Sequence, residues 1–330
     1  MTSQESLLLC QNEWCIVPQE DRAVIEIGGK DRATFLQGLF TQDLIKDFPI
    51  GNILYGIFPN LKGKILADAY VANLDDHTFI LDVEAFVLPV LLKHLHQYLI
   101  GLEAQIIERG RQYRSFSFLG PEATHWLKRL LSEEPPSANQ CSWQQDGRSF
   151  ALSVARRDFK EYRVWVRKEF EIEFLSLIKD SRATVDKEVY ETIQAESAIP
   201  KLGREMDENT FPQEVGLDEF LNFGKGCFLG AEVLQRIFHQ GHVNRKLLLL
   251  SFNGSDAIPS GAPIVQSGAE VGKVTFSSLV SQNRPFAIGL VKISALEATP
   301  PAVPEPLFAK VKGAEILLKP LQGSSLSKSY

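Results

Sequence analysis

The character of the chain changes at Arg245, and no other feature limits its possible folds as much. Upstream, strand-like and helix-like patterns mix irregularly. Downstream, glycine-spaced, β-branched segments follow one another without a helical period: 246–252, 264–265, 271–276, 286–291 and 307–318. Such a tail predicts a small all-β domain, a barrel or a sandwich. The proline-rich run 299–306 is expected to be a surface loop within it. The most apolar run, Leu247-Leu248-Leu249-Leu250, is far shorter than the ~20 residues of a membrane span and reads as a buried strand.

The upstream part reads as α+β. A strand at 23–27 ends at Gly28-Gly29, and Asp31 is placed to cap a helix carrying Phe35, Leu36, Leu39 and Phe40 on one face. Segments 53–58 and 64–73 form a hairpin through Pro59-Asn60-Leu61-Lys62-Gly63, a stretch of typical turn residues. A strand at 79–83 precedes a helix at 86–99, with Phe86, Val90 and Leu91 as its apolar side. Strands at 104–107 and 113–118, a helix at 122–131, a loop at 132–145 and strands at 148–154 and 162–166 follow. The alternation in Glu161-Tyr162-Arg163-Val164-Trp165-Val166-Arg167 predicts a half-buried strand. A chain of 330 residues leads one to expect two or three domains at about 100–200 residues each. The divisions drawn are 1–110, 111–245 and 246–330.

Hydrophobic residues make up 44% and charged residues 23%, the balance of an ordinary globular protein. The net charge of −6 argues against an extended nucleic-acid interface. The four cysteines, Cys10, Cys15, Cys141 and Cys227, show neither a CxxC pair nor zinc-ligand spacing, so no metal site is predicted. The first nineteen residues lack the basic start and apolar core of a targeting signal; a cytoplasmic protein, without membrane attachment, is the expectation.

Few residues stand out chemically. Cys227 lies between glycines, two positions after Lys225 and just ahead of a predicted helix. A neighbouring cation and a helix N-terminus both favour thiolate, whereas a lone cysteine in a turn is also a common small buried residue. Glu196 projects along the apolar stripe set by Val185, Val189 and Ile193, where a carboxylate needs a ligand N–H or a salt bridge. Asp68 shares a strand face with Leu66 and Tyr70; it is either a binding carboxylate or an exposed one on an edge strand. Arg236, His239, His242, Arg245 and Lys246 concentrate positive charge, suited to an anionic ligand tail or to a solvated helix end.

Several segments together resemble the YgfZ-type folate-binding proteins, relatives of the glycine-cleavage T-protein, an aminomethyltransferase. They are Phe35-Leu36-Gln37-Gly38-Leu39-Phe40-Thr41-Gln42-Asp43, Gly63-Lys64-Ile65-Leu66-Ala67-Asp68, the run from Asn209 to Asp218, Lys225-Gly226-Cys227-Phe228-Leu229-Gly230-Ala231-Glu232 and Gly241-His242-Val243-Asn244-Arg245. The resemblance implies a ring of three domains, two α+β domains that hold a folate and a C-terminal β-barrel. It implies tetrahydrofolate or a one-carbon derivative as cofactor, bound by Glu196, Asp68 and Arg236, with Cys227 and Lys225 as the reactive pair. Ala231 stands where the family has glutamine, Gln194 where it has arginine, and Ala67 at the first position of the T-protein's aspartate pair.

The function so implied is that of a folate-binding accessory protein for iron–sulfur cluster assembly or repair, acting on iron–sulfur enzymes that include tRNA-modifying ones, or with cluster-assembly proteins. The alternatives are a tetrahydrofolate-dependent aminomethyltransferase and a scaffold that has lost its ligand.

Overall fold

The computed structural model describes residues 1–330 apart from 111, 132, 145–146, 157–158, 179–183, 282–283, 297–305 and 326–330. The predicted proline-rich loop therefore lies outside the described residues as far as 305. The chain divides into two compact units. One comprises Met1–Pro59, Leu66–Tyr190 and Phe220–Leu229; the other comprises Asn60–Ile65, Glu191–Glu219 and Gly230–Tyr330.

In chain order the first unit contains helix α1 (Ser3–Asn12), strands β1 (Cys15–Gln19) and β2 (Arg22–Gly28), helix α2 (Arg32–Gln37), and strands β3 (Ile53–Pro59), β4 (Ile65–Asn73) and β5 (Thr78–Glu84). Helix α3 (Leu88–Gln97), strands β6 (Gln105–Glu108) and β7 (Tyr113–Leu119), helix α4 (Ala123–Leu131), strands β8 (Cys141–Trp143), β9 (Ser149–Arg156) and β10 (Phe159–Arg167), and helix α5 (Glu171–Ile178) follow. The strands form two five-stranded sheets, ordered β3-β4-β5-β2-β6 and β1-β7-β10-β9-β8.

Strand alternation gives the second sheet two unlike faces. Phe116, Phe118, Val164 and Val166 point to an apolar core shared with Leu127 of α4 and Phe174 and Ile178 of α5. The opposite face carries Ser115, Ser117, Glu161, Arg163 and Trp165, all buried. Arg163 ion-pairs with Asp82 on β5 and Glu161 on its own strand, and Arg22 on β2 reaches the other Asp82 oxygen at 2.7 Å and Glu84 at 3.1 Å. Tyr190 donates to Glu161 at 3.0 Å. The predicted half-buried strand is thus buried on both faces, because its charged face finds opposite charges on the neighbouring sheet.

Three further sequence readings are corrected. The apolar side of α3 is Leu91 and Leu95, both fully buried, while Phe86 is 60% exposed and Val90 42%. The predicted loop 132–145 contains β8, paired with β9. Asp31 occupies the N-cap of α2 but its carboxylate accepts the amide of Glu103 at 2.8 Å and not that of its own helix. A feature not foreseen is the disulfide joining Cys10 of α1 to Cys15 of β1, their Cα atoms 5.0 Å apart.

Helix α6 (Lys187–Glu196) leads into the second unit, which holds helix α7 (Ala231–Gln240) and strands β11 (Arg245–Phe252), β12 (Pro263–Gln266), β13 (Ala269–Ser278), β14 (Phe286–Lys292), β15 (Leu307–Val311) and β16 (Ala314–Ser325). The strands close a barrel in the order β11-β14-β13-β12-β15-β16. The predicted segment 307–318 is a hairpin: Lys312 and Gly313 both take positive φ, 48° and 85°, as a two-residue turn between antiparallel strands requires. Leu248, Leu250, Ile264, Val274, Val291 and Ala309 fill the interior.

Candidate functional site

The thiol of Cys227 is exposed. Its segment, 220–229, packs in the first unit although it lies far along the chain, and backbone bonds fix it to the stretch after α2. The Asn222 amide donates to the Thr41 carbonyl at 3.0 Å and the Leu229 amide to that of Gly38 at 2.9 Å. Two of the sequence motifs, Phe35–Asp43 and Lys225–Glu232, therefore meet at this loop, and the first serves as the platform of the thiol-bearing part of the second.

Gln37 is the hinge of that platform. Its side-chain oxygen accepts the Leu44 amide at 2.8 Å, and its amide nitrogen donates to Asp43 at 3.0 Å and to the Lys225 carbonyl at 3.4 Å. Lys225 returns the contact, its ammonium donating to the Gln37 backbone carbonyl, and it also lies 5.2 Å from the Phe228 ring centre. Burial pulls the Lys225 ammonium down to about 8, against the opposing pull of Asp43. Burial pushes the Asp43 carboxyl up, but the amides of Lys46 and Ile45 and the Gln37 side chain outweigh it and hold the group below the usual carboxylate range. Gly226 has φ +102°, a conformation that suits glycine and carries the chain around the turn before Cys227.

Asp68 belongs to a second cluster in the same unit. β4 lies between β3 and β5, so the edge-strand reading does not apply. Ile65, Ala67 and Ala69 form the core face, and Asp68 and Tyr70 the other. The Tyr55 hydroxyl donates to one Asp68 oxygen at 2.9 Å, while the other oxygen is shut off from solvent and has no hydrogen-bond partner. The Arg156 guanidinium stacks 3.8 Å from the Tyr55 ring centre and 5.2 Å from that of Phe220. Burial pushes the Tyr55 hydroxyl well above its ordinary range, with Arg156 opposing. Neither Arg156 nor Tyr55 stood out in the sequence; a charged residue closing an otherwise apolar strand was the available signal.

The remaining sequence candidates lie in the second unit. Glu196 is the last residue of α6; Val185 and Val189 before it are buried, and one of its own carboxylate oxygens is closed to solvent. Arg236 is exposed on α7. Of the basic residues grouped with it, Arg245 is committed to buried Glu214, with bonds of 3.0 and 3.1 Å. Gly230 starts α7 at φ +76°, and a Cβ there would stand 2.5 Å from the Asn60 carbonyl oxygen, so only glycine fits. Among the described residues no group of three or more His, Cys, Asp or Glu side chains is arranged to hold a metal, and no helix is long and apolar enough to cross a membrane.

Residues 4–150 match the GCVT N-terminal domain family. The chain is 26% identical over 306 residues to the iron–sulfur cluster assembly factor IBA57 homolog, mitochondrial, of Aspergillus oryzae, covering 84% of this chain and 64% of the relative. It thus spans a little under two thirds of that relative's length. It is 26% identical to the human iron–sulfur cluster assembly factor IBA57, mitochondrial, over 79% of this chain and 74% of the relative. To the aminomethyltransferase of Caldanaerobacter subterraneus it is 24% identical, covering 82% and 74% of the two chains. Among solved structures, the glycine cleavage system aminomethyltransferase T of Bartonella henselae superposes with a TM-score of 0.83 at 18% identity, over 96% of this chain and 87% of that one. Residues 4–150 are therefore similar to the GCVT N-terminal domain, and the chain has the fold of aminomethyltransferase T, with a closed six-stranded barrel at its C-terminal end.

Proposed function

We propose that this chain is a folate-binding accessory protein of the YgfZ type that supports assembly or repair of iron–sulfur clusters in other enzymes, tRNA-modifying ones among them, in the cytoplasm. The observation that carries the reading is the exposed thiol of Cys227 on a loop held in place by Gln37, Gly38 and Thr41. A structural cysteine is buried; this one is presented to solvent on a fixed backbone, as a transient ligand to a cluster or a reactive thiol must be. Relatives named as iron–sulfur cluster assembly factors support the same reading. The cluster would be cargo, held only in passing.

Asp68, Glu196 and Arg236 are the residues we assign to the folate, tetrahydrofolate or a one-carbon derivative. The Asp68 oxygen without a donor fits a pterin N–H, which would satisfy it. Lys225, about half deprotonated at pH 8, is assigned to the thiol loop as a proton donor or acceptor. In cells lacking the chain, iron–sulfur enzymes should lose activity under oxidative stress, and Cys227→Ser should fail to restore it. Full activity of those enzymes in either strain would overturn the proposal.

The Asp68 cluster favours a second reading, a tetrahydrofolate-dependent aminomethyltransferase, in which Asp68 positions the amine of the donor. Turnover of an aminomethyl donor with tetrahydrofolate, abolished by Asp68→Asn and retained in Cys227→Ser, would establish it. Absence of turnover in the wild type would remove it.

A further inference from the structure

The first unit contains a cavity of about 560 Å³ that takes no part in either cluster described above. Its volume lies within the ~300–1,000 Å³ range of small-molecule sites. Two of its walls are aromatic and rest on a common support: Trp143 and Tyr113 both pack against Phe150, with ring centres 5.2 and 5.4 Å away. Trp143 remains half-buried, so its indole is available to a ligand.

The charges on the lining divide into spent and unspent. Glu26 receives the Arg109 guanidinium at 2.9 Å. Asp75 accepts the amides of His77 and Thr78 and the Thr78 hydroxyl, all at 2.8 to 3.0 Å, and despite the opposing effect of burial these bonds hold its carboxyl below the ordinary range. Arg167 counters the upward push of burial on the Tyr113 phenol, and neither it nor Lys168 has a carboxylate partner among the described residues. Their backbone is fixed, the Lys168 amide donating to the Gln112 carbonyl at 2.8 Å and the Arg167 amide to that of Arg148 at 2.9 Å. Against these two cations stands Glu169, the one uncommitted acid of the lining. The lining as a whole carries no net charge, Glu26, Asp75 and Glu169 balancing Arg109, Arg167 and Lys168, but Arg167 and Lys168 are the two cations with no carboxylate in contact, and they stand beside an aromatic wall.

We propose that this cavity is a second ligand site, taking a flat-ringed organic monocarboxylate whose ring lies against Trp143 and whose carboxylate is held by Arg167 and Lys168. A guanidinium offers a carboxylate two parallel N–H groups, and the three inner and rim acids disfavour polyanions. The site does not depend on the folate reading.

Calorimetric titration of the full chain with naphthoate tests it, with naphthamide as the uncharged control. Naphthoate should bind at a single site and quench tryptophan fluorescence, and naphthamide should bind about tenfold or more weakly. Arg167→Gln with Lys168→Gln should weaken naphthoate by about ten- to a hundredfold, and Trp143→Phe should remove the quenching. Arg167 and Lys168 are exposed, so the double variant should keep the wild-type melting temperature, which serves as the folding control. No heat of binding with the wild type, equal binding of acid and amide, or unchanged affinity in the folded double variant would each overturn the proposal.

Discussion

Arg163 and Lys225 are both cations withdrawn from water within one unit, and they meet opposite fates. Burial works against the charge of each. At Arg163 two carboxylates, Asp82 and Glu161, are in direct contact and hold the guanidinium protonated well above its ordinary range. At Lys225 the contact is a neutral carbonyl, that of Gln37, and the compensating acid, Asp43, makes no ion pair with it among the described residues; burial wins and the ammonium falls to about 8. Desolvation thus does not decide charge by itself. The partner in contact does, and the two places are suited to different work: a permanent charge that locks two sheets together, and a titratable amine two residues along the chain from an exposed thiol.

Breaking the first arrangement should have the largest effect. Asp82 is fully buried and serves both Arg22 and Arg163. Asp82→Asn leaves two guanidinium groups short of counter-charge and should cost about 3–5 kcal/mol of unfolding free energy in urea titrations. A loss below about 1 kcal/mol would mean that the two sheets do not rely on the ionic layer. A smaller effect is expected where the charge is shared with an aromatic ring. Tyr55→Phe removes the donor to Asp68 while keeping the ring beneath Arg156, and should cost about 1–3 kcal/mol. An unchanged midpoint would show that solvent replaces the hydroxyl at Asp68.

How much of this could be read in advance follows the range of the forces. Hairpins and barrel strands were legible because turn chemistry and period-two alternation are local; even so, Lys312-Gly313 passed unnoticed inside one apparent strand. On α3 the pattern was present but ambiguous, since Phe86 with Val90 and Leu91 with Leu95 both keep a helical spacing and only packing chooses between them. The ionic layer was hidden for a related reason. Alternation tells that Arg163 and Val164 face opposite ways, and cannot tell that the charged side meets Asp82 some eighty residues earlier. The carboxylates Asp68 and Glu196 and the thiol of Cys227 were visible as residues, because each breaks a local rule. The bond between Gln37 and Lys225 was not, because nothing near either residue announces the other.

Gln37 allows the thiol loop to be loosened without touching its charges. Gln37→Ala removes the side-chain bonds to Leu44, Asp43 and the Lys225 carbonyl and should cost about 1–2 kcal/mol, with faster amide exchange at Leu229. Unaltered exchange there would mean that the backbone bonds at Gly38 and Thr41 suffice.

The prediction that bears most directly on the contrast with Arg163 is a dependence on pH. The unfolded chain keeps the Lys225 proton up to about 10.5, whereas the folded loop releases it near 8. Between these values the unfolded state holds more protons than the native one, so stability rises with pH across that window. The contribution is fully present above the unfolded value and is lost as pH falls through the folded one. Lys225→Met lacks the titrating group. The stability of wild type minus that of Lys225→Met should therefore climb from about pH 8 to 10.5 and be flat below. Arg163 can show no such slope, because its partners keep it charged throughout. A flat difference over the whole range would place the Lys225 ammonium in water and remove the physical distinction between the two cations.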